Sequence, residues 1–176
     1  LTAGHQAKIE EKPDVRKAGG VYYTPSYVVE YIVKQTVARQ IEGRSPAQLA
    51  GSKDRPPFRV LDMACGSGSF LLGAYHRLLD YCLNWYTEHK PEAFKKAVYK
   101  DTRNAHWRLT IEEKKRILTT HIFGVDIDAQ AVEVTKLSLL LKVLEGETDQ
   151  SRSLSQLAFG DRALPNLADD IQWGNS

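Results

Sequence analysis

The sequence predicts an α/β fold, a doubly wound parallel sheet, and three observations predict it. Phe58 to Ala64 reads as a buried strand that runs into a glycine-rich turn, Cys65 to Ser69, and then into a long helix. Ile122 to Ile127 is a second short apolar strand, followed directly by another helix. A third strand starts at Ile171. Strand, glycine turn, helix, strand, helix, strand is the order of a parallel sheet crossed by helices. Such sheets take their ligands at the carboxyl ends of the strands, where Cys65 to Gly68, Asp126 and Asn175 all fall.

Each element has its own sequence reason. Residues 1–18 are polar and charged and read as an arm or linker, with a break at Gly19-Gly20. Val21 to Pro25 is β-prone and extended, because a residue before proline is pushed out of the α region. From Ser26 to Glu42, Val28, Val29, Ile32, Val33, Val37 and Ile41 recur at three- and four-residue steps, which predicts an amphipathic helix stopped by Gly43. Residues 43–57, rich in Gly, Ser and Pro, read as loop. The long helix after the turn runs from Phe70 to about His89, with Leu71, Leu72, Tyr75, Leu78, Leu79, Cys82 and Leu83 inward. Pro91 breaks it. Residues 91–118 are charged with scattered apolar positions and read as a helical insertion, with Thr110 and Glu113 in capping-box spacing. Asp128 is the expected N-cap of a helix from Ala129 to Glu145, closed by Gly146. Residues 147–170 read as polar connection with some helix around Leu154 to Phe159.

Composition narrows the function classes. At 42% hydrophobic and 26% charged residues, the chain is an ordinary globular domain rather than a disordered one. A net charge of +2 is low for a domain that grips nucleic acid alone. Any such grip is therefore expected elsewhere. Cys65 and Cys82 have neither metal-ligand spacing nor partners for a disulfide framework, so reduced thiols and a cytoplasmic setting are expected. No metal site is predicted. No apolar run has the length of a membrane span, and no signal peptide is visible. Leu1 and the terminal Gly174-Asn175-Ser176 both look like cuts in a longer protein.

The chemistry gathers at two strand ends. Gly66 and Gly68 remove Cβ atoms where the backbone must turn sharply beside a ligand, and the following helix offers free N–H groups. A phosphate loop would need Lys-Ser or Lys-Thr after the second glycine, where Ser69-Phe70 stands. A dinucleotide fingerprint would want a third glycine where Leu71 stands, which disfavours a nicotinamide oxidoreductase. A nucleoside with an amino-acid tail needs no third glycine. A plain tight turn between strand and helix remains open. At the second strand end, Asp126 can accept both hydroxyls of a ribose and Ile127 can cover one face of an adenine, while Asp128 caps the helix. Cys65 has no neighbouring histidine and reads as a small residue in a turn. The basic cluster Lys95, Lys96, Lys100, Arg103, Arg108, Lys114, Lys115 and Arg116 reads as a solvated helical face, with contact to nucleic-acid phosphates as the alternative.

Taken together, these strings resemble one family. Gly20-Val21-Tyr22-Tyr23-Thr24-Pro25 resembles motif X of the N6-adenine DNA methyltransferases. Leu61 to Phe70 resembles their motif I, Ile122 to Asp128 motif II, and Ile171 to Ser176 motif III. The order X, I, II, III is that of the gamma class. The spacer between motifs I and II is similar to that of large restriction–modification enzymes that fuse nuclease and methylase. The likeness runs over about residues 8–176.

The resemblance implies a Rossmann-like methyltransferase domain over 19–176 that binds S-adenosylmethionine. It implies that Thr24 bonds the methionine carboxylate, with Tyr22 and Tyr23 walling the pocket. Asp62 falls near the methionine amino group, and Ala64, Cys65, Gly66 and Gly68 line methionine and ribose through their backbone. Asp126 holds the ribose hydroxyls, Ile127 packs on adenine, and Asn175 accepts the adenine amino group where many relatives have aspartate. The implied partners are double-stranded DNA with a flipped adenine, and a fused or associated nuclease and specificity domain, in a bacterial or archaeal cytoplasm. The family's catalytic Asn-Pro-Pro-Tyr (or variant) string is absent, since Pro56-Pro57 follows Arg55 and precedes motif I. The chain is thus expected to bind cofactor without transferring methyl on its own. Methyl transfer to RNA or protein, and a non-catalytic scaffold, are the competing readings.

Overall fold

The computed structural model describes residues 24–146 and 164–175. The polar arm, Tyr22, Tyr23 and the helix expected around Leu154 to Phe159 lie outside the described residues. Helix α1 (Ser26–Val33) continues through a π-helical turn, Lys34–Ala38, to a last α-turn, Arg39–Ile41. Val29, Val33, Val37 and Ile41 form its buried row, at the four-residue step expected of a core-facing stripe. Val28 is only partly covered and Ile32 is exposed, so the buried stripe is narrower than the apolar spacing suggests.

The stretch expected as plain loop contains helix α2 (Pro46–Ala50). Its start is a complete capping box: the Ser45 hydroxyl accepts from the Gln48 N–H at 3.2 Å, and the Gln48 side chain accepts from the Ser45 N–H at 2.8 Å. Pro46 occupies the first helical position, where its missing N–H costs nothing.

Strand β1 (Val60–Asp62) is shorter than the expected 58–64 because the Asp62 carboxylate takes the Ala64 N–H at 3.1 Å and turns the chain. Helix α3 (Ser69–Glu88) follows, with Leu71, Ala74, Tyr75, Leu78, Leu79, Cys82 and Tyr86 buried. The insertion departs from the helical expectation. A short 3-10 turn, Pro91–Phe94, leads into an antiparallel hairpin of β2 (Val98–Lys100) and β3 (Trp107–Leu109). The hairpin is packed at one end and open towards its turn. Val98 is buried and Lys100 exposed, and opposite them Leu109 is buried and Trp107 half-buried. Buried Asp101 then organises the connecting turn by accepting from the Arg103 N–H at 2.9 Å and from Arg108 Nε at 2.8 Å.

Helix α4 (Ile111–His121) starts at Thr110, whose hydroxyl accepts from the Glu113 N–H. The reciprocal half of the expected capping box is missing. The Glu113 carboxylate instead accepts from Tyr86 Oη at 2.8 Å and from two nitrogens of Arg116. Strand β4 (Ile122–Asp126) runs straight on, and helix α5 (Ala129–Leu144) follows, capped by Asp128 through the Gln130 and Ala131 N–H groups. Strand β5 (Ile171–Trp173) completes a parallel sheet of order β1-β4-β5. Ile122 and Ile171, on the face that also carries Gly124, are fully buried. Gly124 belongs there because a Cβ would lie 2.7 Å from Leu71 Cδ1 of α3. Leu61, pointing the other way, is 58% exposed. All three strands therefore end on one side of the molecule, and the turns that follow β1 and β4 meet there.

Candidate cofactor site

The turn after β1 is held from three directions. Its entry is tied to the sheet by the Cys65 N–H, which donates to the Val125 carbonyl at 3.0 Å. The Gly66 N–H donates to Asp126 Oδ2 at 2.7 Å, and the Gly66 carbonyl accepts from Thr135 Oγ1 at 2.8 Å. Gly66 and Gly68 both have positive φ, 54° and 83°. Their surroundings differ. A Cβ on Gly66 would meet open space, whereas one on Gly68 would stand 2.7 Å from Thr135 Cγ2. Gly68 is thus the packed side of the turn and Gly66 the open side.

Helices α2, α4 and α5 each begin with a side-chain cap, and α3 begins at Gly68 with none. Its first N–H groups are left for solvent or a ligand, beside the open face of Gly66.

Asp126 is the hub. Its Oδ2 accepts from Gly66, its Oδ1 accepts from the Asp128 N–H at 2.8 Å, and its own carbonyl accepts from the Gly174 N–H at 3.0 Å. An ionised carboxylate has about four lone-pair sites, so two backbone donors orient the group and leave acceptor capacity for two hydroxyls. That is what a ribose diol requires. Ile127, 75% exposed, stands next to it. Asn175 is exposed and follows directly on Gly174, one residue beyond the bond to Asp126.

The remaining expected positions divide. Ala64 is exposed on the rim and Asp62 is turned back on its own backbone. Thr24 stands just ahead of α1, whose Val29 lies over Gly73 of α3, and among the described residues no hydrogen bond joins it to the turn. Cys65 is buried, and burial together with the negative charges of Asp126 and Asp62 pushes its thiol up to about 11. A thiol held so firmly protonated is a poor nucleophile, as a packing role requires. Thr135 has no place in the sequence reading. A fully buried threonine in a helix ordinarily satisfies its hydroxyl on the preceding turn. Only the packing of α5 over the Gly66 turn makes it part of the site. Among the described residues no group of His, Cys, Asp and Glu could hold a metal ion.

The basic cluster lies elsewhere. Helix α3 has 20 residues, a span of ~30 Å, and the hairpin hangs from its far end. Arg103 and Arg108 pair with Asp101, Lys115 with Glu112, and Arg116 with Glu113, while Lys114 donates to carbonyls at the end of α5. These pairs lie in the insertion and on α4, and Lys95, Lys96 and Lys100 of the cluster are exposed.

Residues 11–162 match the family model described as N-6 DNA Methylase. The chain belongs to this family. Over 156 residues it is 31% identical to the type II restriction enzyme and methyltransferase RM.Eco57I of Escherichia coli, covering 89% of this chain and 14% of that protein. It is 28% identical over 193 aligned positions to the putative type II restriction enzyme and methyltransferase RM.MjaORFECS2P of Methanocaldococcus jannaschii, covering 92% of this chain and 15% of that one. The adenine-specific methyltransferase BrxX of Escherichia coli is 27% identical over 160 positions, 76% of this chain and 12% of BrxX. The chain therefore spans about one-seventh of the curated relatives it matches. Both the restriction–modification likeness and the adenine specificity expected from motifs X to III agree with the names these relatives carry.

Proposed function

We propose that this chain is the S-adenosylmethionine-binding part, residues 19–176, of an adenine-specific DNA methyltransferase of the restriction–modification type, and that its sheet is part of a Rossmann-like methyltransferase domain. The observation that carries the reading is the Asp126–Gly66 bond. It joins the turn after β1 to the acid that ends β4, leaves the carboxylate with acceptor capacity beyond its bonds to Gly66 and Asp128, and lies beside the uncapped start of α3. When bound, S-adenosylmethionine supplies the sulfonium methyl that the adenine N6 takes up. Every other task of this chain is binding and orientation. Asp126 accepts from the ribose hydroxyls, Ile127 covers a face of the cofactor's adenine, Asn175 accepts from its amino group, and the Gly66–Gly68 turn leaves room for the methionine. Thr24, Tyr22, Tyr23, Asp62, Ala64 and Cys65 complete the pocket as the family pattern implies.

Methyl transfer then rests on orientation of amine and sulfonium in line. It also needs the Asn-Pro-Pro-Tyr groups that hold a flipped adenine, which this chain lacks. The partners of the full-length enzyme are double-stranded DNA and a fused or associated nuclease and specificity domain, in the cytoplasm. Among the described residues no helix is long and apolar enough to cross a membrane.

The test is to incubate the full-length enzyme, and separately this chain, with DNA and S-adenosylmethionine labelled in the methyl group. Label recovered in N6-methyladenine from the full-length enzyme, with none from this chain, is the expected result. Label in RNA, in protein or in another base would contradict the reading.

A further inference from the structure

Trp173 is 69% exposed, although tryptophan is the side chain that gains most from burial. It is nevertheless fixed. Its indole Nε1–H donates to the Ile127 carbonyl at 2.9 Å, reaching from the end of β5 to the turn after β4. The backbone supports the same join, since the next residue, Gly174, donates to the Asp126 carbonyl. The neighbouring Ile127 is equally bare at 75%. Two large apolar side chains, tied through the Ile127 backbone carbonyl, are thus left exposed at the carboxyl ends of neighbouring parallel strands, next to the acid that would hold a ribose. One of them is anchored at its only polar atom.

We propose that Trp173 is a second contact for the nucleobase of the cofactor, its indole ring and Ile127 together forming the apolar surface against which the adenine lies. The proposal rests on the cofactor reading above and adds to it Trp173, a residue to which the resemblance assigns no role. The N–H bond to Ile127 does two things. It orients the ring so that its face, rather than its polar edge, meets the ligand. It also fixes the carbonyl of the turn that carries Asp126, Ile127 and Asp128. Stacking on an aromatic ring tolerates any base, so Trp173 contributes affinity, while Asn175 contributes the choice of adenine.

The other two tryptophans, Trp85 and Trp107, are partly buried, in the second half of α3 and in the hairpin that hangs from its far end. A ligand-dependent change in tryptophan emission therefore reports Trp173. The experiment titrates this chain, the wild type and the Trp173→Ala and Trp173→Phe variants, with S-adenosylmethionine and with adenosine. Affinity is read by calorimetry, and wild-type emission is read with acrylamide as quencher. The expected result is that both ligands shield the wild-type emission from acrylamide. Trp173→Ala should weaken both ligands roughly tenfold, and Trp173→Phe, which keeps a ring, should recover most of that loss. Wild-type binding with unchanged acrylamide access, or Trp173→Ala binding as tightly as wild type, overturns the role of Trp173 and leaves the cofactor reading standing. A folded wild type that binds neither ligand overturns both. The acrylamide measurement uses only the wild-type chain, so a variant that fails to fold does not blunt the test.

Discussion

Thr135 shows how much a single hydroxyl can decide. It sits at 0% exposure, donates to the Gly66 carbonyl and fills the space a Cβ on Gly68 would need. Thr135→Val keeps the shape and removes the donor. The account predicts that the turn then loses its grip on one side and that affinity for S-adenosylmethionine falls about fivefold, the equivalent of a ~1 kcal/mol hydrogen bond. Thr135→Ser should restore it, and calorimetry on the three proteins checks both. His121 gives a second residue-scale prediction. It is fully buried, its Nδ1–H donates to the Phe58 carbonyl at 2.6 Å, and among the described residues its Nε2 has no partner. Burial holds its folded pKa below the ordinary value, against the opposing pull of the Phe58 carbonyl. The unfolded chain therefore takes up the proton first on acidification. The contribution of neutral His121 is intact above about pH 6.5 and is lost as the pH falls below that value. Urea melts between about pH 8 and 5 should show stability declining on the acid side, with a shallower slope in His121→Leu.

At the scale of elements, what could be read from the sequence was whatever repeats. The four-residue spacing from Val29 to Ile41 and the inward row of α3 mark helices because several residues must agree. β4 shows as an apolar run ahead of a cap, and β5 as the start of a strand after a polar connection. The hairpin was not legible, because each strand has three residues and its key side chain is a buried aspartate, which in sequence looks like one more surface charge. The same holds for α2, whose capping box is written in Ser45 and Gln48 but sits among Gly, Ser and Pro that read as loop. The hairpin also carries a local cost. Ala105 has φ 58°, a left-handed conformation that a Cβ disfavours. Ala105→Gly should stabilise the protein by up to about 1 kcal/mol, the relief of the Cβ being partly offset by the greater freedom of an unfolded glycine. Denaturant unfolding of the variant would show it, and a loss of stability would mean that the hairpin turn is built differently.

At the scale of the molecule, the parallel order β1-β4-β5 puts the carboxyl ends of all three strands on one side, and this is what makes a site of residues more than a hundred positions apart. Gly66, Asp126 and Gly174 meet because the strands that deliver them are neighbours. The strand ends and the acid were legible beforehand, since strand order alone places them. The roles of Thr135 and Trp173 were not, because they depend on how α5 and β5 lie against the turns. The basic insertion hangs from the opposite end of α3, away from the turns that follow β1 and β4.

The proposed site turns on Asp126, oriented by Gly66 and Asp128 to hold the ribose of S-adenosylmethionine. Calorimetric titration of the folded chain with S-adenosylmethionine, alongside Asp126→Asn and Asp126→Ala, measures this most directly. The account predicts saturable one-to-one binding by the wild type, weakened at least tenfold in Asp126→Asn, since a charged acceptor contributes about 1.5–3 kcal/mol to such bonds, and abolished in Asp126→Ala. A folded wild-type chain that takes up no cofactor, or a folded Asp126→Ala that binds as tightly as the wild type, would contradict it.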